Sequence, residues 1–260
     1  MSALEVRNLT VSYGDAPVLE GLTLEVPEGS FVSLVGPSGC GKSTLLRTIA
    51  GLLPPVNGEI YVFGRPVDGP SPEIGFLFQE DALLPWRTVG ENVALGLRFR
   101  GVPWAQAAQT VEEWLQRVGL HAFRSSYPHE LSGGMKKRAS LAQVLAARPR
   151  ILLMDEPFAS LDAIVRNILE ADFLALVREE NLTVLLVTHD LEEAIALSER
   201  VALMSAGPRA RIRRVYEVPF PYPRDLIRVR SDPAFGRLLQ QIWSDLEGEV
   251  LRMGWEVVRQ

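Results

Sequence analysis

The run Gly36-Pro37-Ser38-Gly39-Cys40-Gly41-Lys42-Ser43-Thr44 fits G-x-x-x-x-G-K-[ST] and decides how the chain is read. Before it stands Phe31-Val32-Ser33-Leu34-Val35, a short β-rich run of buried-strand type. After it, Lys42 to Ala50 has the spacing of a helix closed by Gly51. A strand feeding a glycine turn and then a helix aims successive backbone N–H groups, and the positive end of the helix, at one point. The stretch reads as a phosphate cradle, with an ordinary Gly-rich turn as the competing reading. In the cradle, Lys42 reaches the β- and γ-phosphates and the Ser43 hydroxyl ligates Mg²⁺.

Composition sets the outer bounds. A length of 260 residues allows one large domain or two small ones, and 47% hydrophobic content is ample for a core. A net charge of −5 argues against a nucleic-acid groove as the main surface, so no nucleic-acid partner is expected. No apolar run approaches the ~20 residues of a membrane helix. The start Met1-Ser2-Ala3-Leu4-Glu5 lacks the layout of a signal peptide, and the chain is expected in the cytoplasm. A single cysteine rules out an internal disulfide. Cys40 lies in the phosphate loop, where positive charge lowers a thiol pKa; the favoured reading is a small filler. Lysine occurs only as Lys42, Lys136 and Lys137 among 27 basic residues, a genomic bias first and a thermal adaptation second.

Leu4 to Tyr13 and Val18 to Val26 read as strands with turn signals at Gly14-Asp15-Ala16-Pro17 and Pro27-Glu28-Gly29, an antiparallel piece that Glu59 to Phe63 extends. Ile74 to Phe78 is a further strand ending at Gln79. From Pro85 to Pro149 helical periodicity takes over, with Trp104, Ala108, Val111, Leu115 and Val118 on one face and Glu112 and Glu113 off it. Strands resume at Ile151 to Met154, Thr183 to Val187 and Val201 to Met204, with a helix from Ala163 to Glu180 between the first two. That alternation implies an α/β core with a largely parallel sheet. A strand through Ile212 to Val218, a Pro-punctuated link and a helix near Pro233 to Val250 complete the chain.

Asp155-Glu156 leave the end of the strand Ile151 to Met154, on the edge where α/β sheets bind ligands. Asp155 is the candidate for holding Mg²⁺ through water, and Glu156 for polarising the attacking water as general base; a solvated acidic pair is the bland alternative. The Gln79 amide is placed to touch both Mg²⁺ and the lytic water. His189 closes the strand Thr183 to Thr188 and is a candidate hydrogen-bond partner of the γ-phosphate, against a merely exposed strand-end histidine. Asp190 with Glu193 forms a capping box for the helix Leu191 to Ser198. Leu131-Ser132-Gly133-Gly134-Met135 opens a helix running from about Met135 to Ala147. Ser132 is its N-cap, and two glycines at a helix start also make an anion site.

With these motifs in order, the chain resembles the ATP-binding cassette ATPases, the nucleotide-binding subunits of ABC transporters. The resemblance covers about Leu4 to Met204: the Walker A loop Gly36 to Thr44, Gln79, the signature Leu131 to Gly134, the Walker B strand Ile151 to Glu156, Ser160-Leu161-Asp162 and His189. It implies an α/β fold: a P-loop NTPase (RecA-like) core with an antiparallel β subdomain (1–84 and 150–205), an inserted α-helical subdomain (85–149) and a C-terminal extension (206–260). It implies ATP and Mg²⁺ as ligands, and it puts Tyr13 where the family stacks an aromatic on adenine; packing on the core is the other reading of Tyr13.

The resemblance also implies that two subunits close head to tail on two ATP molecules. Ser132, Gly133, Gly134 and Met135 of one copy then meet the Walker A loop of the other, and Asp162 crosses between them. Met135, where many members have glutamine, is similar to the importer ATPases for nitrate, sulfonate and taurine. So are Leu84-Pro85-Trp86-Arg87-Thr88-Val89 and Asp232-Pro233-Ala234-Phe235. Such a subunit sits on the cytoplasmic face of the membrane. It receives two permease subunits in a groove near Gln79, Leu84 and Trp86, and serves an extracytoplasmic solute-binding protein indirectly. A soluble ABC-type ATPase of DNA repair, translation or scaffolding is the alternative. Repair members carry a long coiled coil between Gln79 and Ser132, translation members carry two cassettes, and a P-loop kinase leaves the signature and His189 unexplained.

Overall fold

The computed structural model describes residues 2–159 and 161–252. Ser160, expected in the loop before Asp162, and residues 253–260 of the expected extension lie outside them. The chain opens with β1 (Ser2–Tyr13) and β2 (Ala16–Pro27), joined by the turn Gly14-Asp15 with Tyr13 opposite Ala16. Then come β3 (Phe31–Val35), α1 (Lys42–Ile49), β4 (Asn57–Val62), β5 (Arg65–Pro66) and β6 (Ile74–Leu77). A helical stretch follows: α2 (Val89–Val93), α3 (Leu95–Phe99), α4 (Trp104–Arg117) and α5 (Gly133–Leu145). The remainder alternates as β7 (Ile151–Asp155), α6 (Ala163–Glu179), β8 (Thr183–Val187), α7 (Leu191–Leu197) and β9 (Arg200–Met204). It ends in β10 (Ile212–Glu217), α8 (Leu226–Arg230) and α9 (Pro233–Arg252).

Two sheets result. The smaller is antiparallel in the order β2-β1-β4-β5; the larger runs β10-β9-β3-β8-β7-β6, parallel from β9 to β6 with β10 antiparallel at its edge. The larger sheet is covered on both faces, which explains why its strands are unbroken apolar runs rather than alternating ones. Successive residues of each strand serve different cores. Leu152, Met154, Val184, Leu186, Val201 and Leu203 pack against the helical side, with Phe173, Leu174 and Val177 of α6. Ile151, Leu153, Leu185, Val187, Ala202 and Met204 pack on the other side, with Leu45, Leu46 and Ile49 of α1 and the inner face of the antiparallel sheet. Each fully buried aliphatic side chain contributes about 1.5–3 kcal/mol.

The predicted strands and helices stand where periodicity puts them, with three differences. On α4 the buried row is Ala107, Val111, Trp114, Leu115 and Val118, whereas Trp104 is exposed and Ala108 only partly covered. The buried stripe is centred on Ala107, Val111, Trp114 and Val118, and Trp104 and Ala108 fall on its margin. Helix α5 starts two residues before the expected Met135, because Ser132 takes the N-cap position and both glycines lie in the first turn. The two-residue β5 and the short α8 have no sequence period long enough to register.

Phe173 sits at the centre of the larger core, edge-on to Phe31 at 6.1 Å and to Phe158 at 5.9 Å between ring centroids. Phe173→Ala should lower unfolding stability by about 3–5 kcal/mol in a urea titration, since three rings lose their common contact. A loss below about 1 kcal/mol would show that this core collapses around the deletion.

Candidate active site

In-register parallel pairing brings the candidate residues to one edge. Leu34 faces Val187 across β3 and β8, Val187 faces Asp155 across β8 and β7, and Met154 faces Leu77 across β7 and β6. One or two residues farther on, the four strands release Gly36, His189, Glu156 and Gln79. All four therefore leave the C-terminal edge of the sheet together, where open α/β sheets hold ligands.

The loop between β3 and α1 is shaped by glycine. Gly41 has φ 105°, and a Cβ there would lie 2.7 Å from Val18 Cγ1 and 2.9 Å from Leu19 Cδ2, so the loop rests on the start of β2 with no room for a methyl group. As the N-cap of α1, Gly41 offers no side-chain acceptor, and the N–H groups of the first turn remain for an anion. Lys42 is buried, its ammonium donating to Gly36 O at 2.8 Å and Pro37 O at 3.0 Å. One N–H of the three is left over. Pro37 also accepts from the Cys40 amide at 3.3 Å, which closes the turn through Ser38 and Gly39. Cys40 is fully buried, and burial pushes its thiol up, outweighing the charge of Lys42. That agrees with the filler reading and not with an activated thiol.

Beyond the loop, the Ser43 hydroxyl donates to Asp155 Oδ1 at 3.0 Å. Burial is the largest influence on Asp155 and pushes its carboxyl up, opposed by the Ser43 hydrogen bond and the charges of Arg47 and Lys42. A hydroxyl and a carboxylate converging on one point suit a hard cation such as Mg²⁺. Among the described residues no cluster of three His, Cys, Asp or Glu forms a closed metal cage. The pair therefore fits an ion that takes most of its ligands from phosphate and water. Thr44 continues α1, and its carbonyl accepts from Thr48 Oγ1 at 2.9 Å.

Glu156 sits on strained backbone, φ 46°, held by its N–H donating to Val187 O at 2.9 Å. Its Oε2 meets His189 Nδ1 at 3.0 Å. Gln79 is exposed, and its carbonyl accepts from Lys137 Nζ at 3.1 Å. Lys137 is only 3% exposed and pairs with Asp81 at 3.1 Å, so a buried cation on α5 ties down the loop after β6. Nothing in the local sequence announces this tie, because its partners lie more than fifty residues away.

The Ser132 hydroxyl accepts from the Met135 amide at 3.3 Å as the N-cap of α5. Gly134 packs hard on α6, where an added Cβ would lie 2.9 Å from Val165 Cγ1. Gly133 is exposed, and Met135 is partly buried against the larger core. Asp162 caps α6, its Oδ1 accepting from Ile164 N at 3.2 Å and Val165 N at 3.0 Å. Among the described residues, no hydrogen bond joins Ser132–Met135 or Asp162 to the loop 36–44; their polar contacts are the caps of α5 and α6. Tyr13 is half exposed at the tip of the β1–β2 hairpin, which speaks against the core reading. Asn92, fully buried on α2, is a further residue with no sequence signal. Its side chain bonds Leu84 through both N–H and C=O and also holds the carbonyls of Arg87 and Thr88, which leaves Trp86 70% exposed.

A family model described as ABC transporter matches residues 19–159. The taurine import ATP-binding protein TauB of Roseobacter denitrificans is 40% identical over 263 residues, which cover 96% of this chain and 97% of that one. The nitrate import ATP-binding protein NrtC of Synechococcus elongatus is 42% identical over 236 residues, 90% of this chain and 36% of that longer protein. Among solved structures, the ATP-binding cassette MJ0796, in a dimeric post-hydrolysis state bound to ADP and Pi, superposes with a TM-score of 0.72. It is 31% identical and covers 84% of this chain and 100% of that one. With its P-loop, its parallel sheet edge and these relatives, the chain belongs to the ABC transporter family and is an ATPase with the P-loop α/β fold.

Proposed function

We propose that this chain powers an importer by hydrolysing ATP between two copies of itself. The observation that carries the reading is the contact of Glu156 with His189 beside the Ser43–Asp155 pair, all on one sheet edge. Lys42 and the first-turn amides of α1 bind and orient the β- and γ-phosphates of ATP. Tyr13 stacks on the base. Ser43, Asp155 and Gln79 would hold Mg²⁺, which when bound neutralises phosphate charge. Glu156 accepts the proton of the attacking water at its carboxylate. His189 contacts Glu156 through Nδ1 and fixes the carboxylate, leaving its Nε2 edge to meet the γ-phosphate.

The second phosphate-type site belongs to the neighbouring copy. Ser132, Gly133, Gly134 and Met135 of one subunit close on the nucleotide in the Walker A loop of the other, with Asp162 at the crossing. This reading is supported by the dimeric state of the related cassette. Binding then favours the closed dimer and hydrolysis the open one.

The permease pair docks on the helical side, where Trp86 stands exposed on a loop that Asn92 staples from behind. No helix of the described residues is long and apolar enough to cross a membrane, and the subunit is placed at the cytoplasmic face through its permeases. The names of the relatives, taurine and nitrate importers, point to small anions of the sulfonate or nitrate type as cargo, delivered by an extracytoplasmic solute-binding protein.

Glu156→Gln should bind ATP with unchanged affinity and lose turnover by at least about 100-fold, as expected when a general base is removed. Wild-type phosphate release from that variant would eliminate Glu156 as the base. In the same background ATP should drive the chain into a dimer on a sizing column. Adding Ser132→Arg should abolish that shift and leave ATP binding by the monomer intact; a dimer that still forms would disprove the trans arrangement.

A further inference from the structure

The segment after residue 205 carries none of the motifs, yet one of its side chains reaches a buried carboxylate on α6. From the last turn of α8, Arg230 donates from Nη2 to Glu170 Oε2 at 2.5 Å and from Nη1 to Asn167 Oδ1 at 2.5 Å, both on α6. Glu170 is fully buried. Burial pushes its carboxyl up, and the hydrogen bond and charge of Arg230 pull it back.

Next to it on α7 lies Glu193, 4% exposed, its carboxyl pushed up to about 8 by burial, against a hydrogen bond from Thr188. The charges of Glu170 and Asp190 push the same way as burial, while Arg166 opposes them. Arg230 compensates the charge of Glu170 directly, and burial holds Glu193 toward its neutral form.

The consequence reaches the site through one turn. The Thr188 hydroxyl donates to Glu193 and accepts from the Asp190 amide at 3.0 Å. Arg166 donates to Asp190 Oδ2 at 3.2 Å and to Leu161 O at 3.1 Å. Thr188 and Asp190 are thus fixed on either side of His189, whose ring meets Glu156. Among the described residues, four buried atoms of the cluster, Glu170 Oε1, Glu193 Oε1, Arg166 Nε and Arg230 Nε, have no hydrogen-bond partner, which makes its charge balance sensitive to any loss.

We propose that Arg230 is a positioning residue for hydrolysis: by neutralising Glu170 beside Glu193 it holds the Thr188-His189-Asp190 turn that aims His189 at Glu156. The proposal rests on the role given to His189 above. It assigns the C-terminal segment a part in the chemistry that no phosphate contact gives it.

The test measures steady-state ATP hydrolysis by the full chain. Arg230→Met should lower kcat by about 10- to 100-fold, as displacement of a reacting group does, with KM for ATP and nucleotide binding little changed. Arg230→Lys should fall between the two. Adding Glu170→Gln to Arg230→Met removes the uncompensated charge and should restore most of kcat, and it should also fold should the single variant not. An unchanged kcat in Arg230→Met, or a double variant that folds but stays inactive, would overturn the proposal. His189→Ala separates the two levels: full turnover there overturns the role of His189 and this inference with it. Loss of turnover there with full turnover in Arg230→Met overturns only the inference.

Discussion

The parallel register of β3, β8, β7 and β6 is the constraint on which the rest of the molecule depends. Because these strands run side by side in one direction, the residues just past their ends share one edge, and Gly36, His189, Glu156 and Gln79 arrive there from four distant parts of the sequence. A slip of one residue in any pairing would exchange the two faces of a strand, sending Leu153 into the space of Leu152, and would turn its terminal side chain away from the edge. Burial on both faces forbids that slip, so the core sets the accuracy of the site.

The same edge concentrates electrostatic tension. Asp155 and Glu156 are consecutive acids, the first buried and the second on left-handed backbone, and both are held by hydrogen bonds: Asp155 by Ser43, Glu156 by His189. Lys42 supplies the cation next to them but is itself anchored by loop carbonyls. The site is thus preorganised by its own polar contacts before any ligand arrives.

What could be read from the sequence was what is local. The cradle, the strands β3 and β8 to the residue, the caps at Ser132 and Asp190 and the acidic pair after β7 all declare themselves within a few positions. Asp162 proves to be a helix cap as Ser132 is, so the same side chains carry a structural bond and an expected functional one. Residues that act across the fold were silent. Lys137 is an ordinary helix lysine until Gln79 and Asp81 are folded onto it, and Arg230 is one arginine among many until α8 docks on α6. Trp104 shows a different limit, since a helical period marks a stripe of positions but not which of them sit at its buried centre and which at its margin.

The contact of Gly134 with Val165 leaves less than a methyl group of clearance between the start of α5 and the start of α6. Two surfaces that close-packed have no backlash: a push on the glycine turn is delivered at once to the helix that begins at Asp162, and the reverse. The two groups expected to face a neighbouring copy therefore form a single tooth of the gear, and a side chain at Gly134 would wedge the starts of α5 and α6 apart.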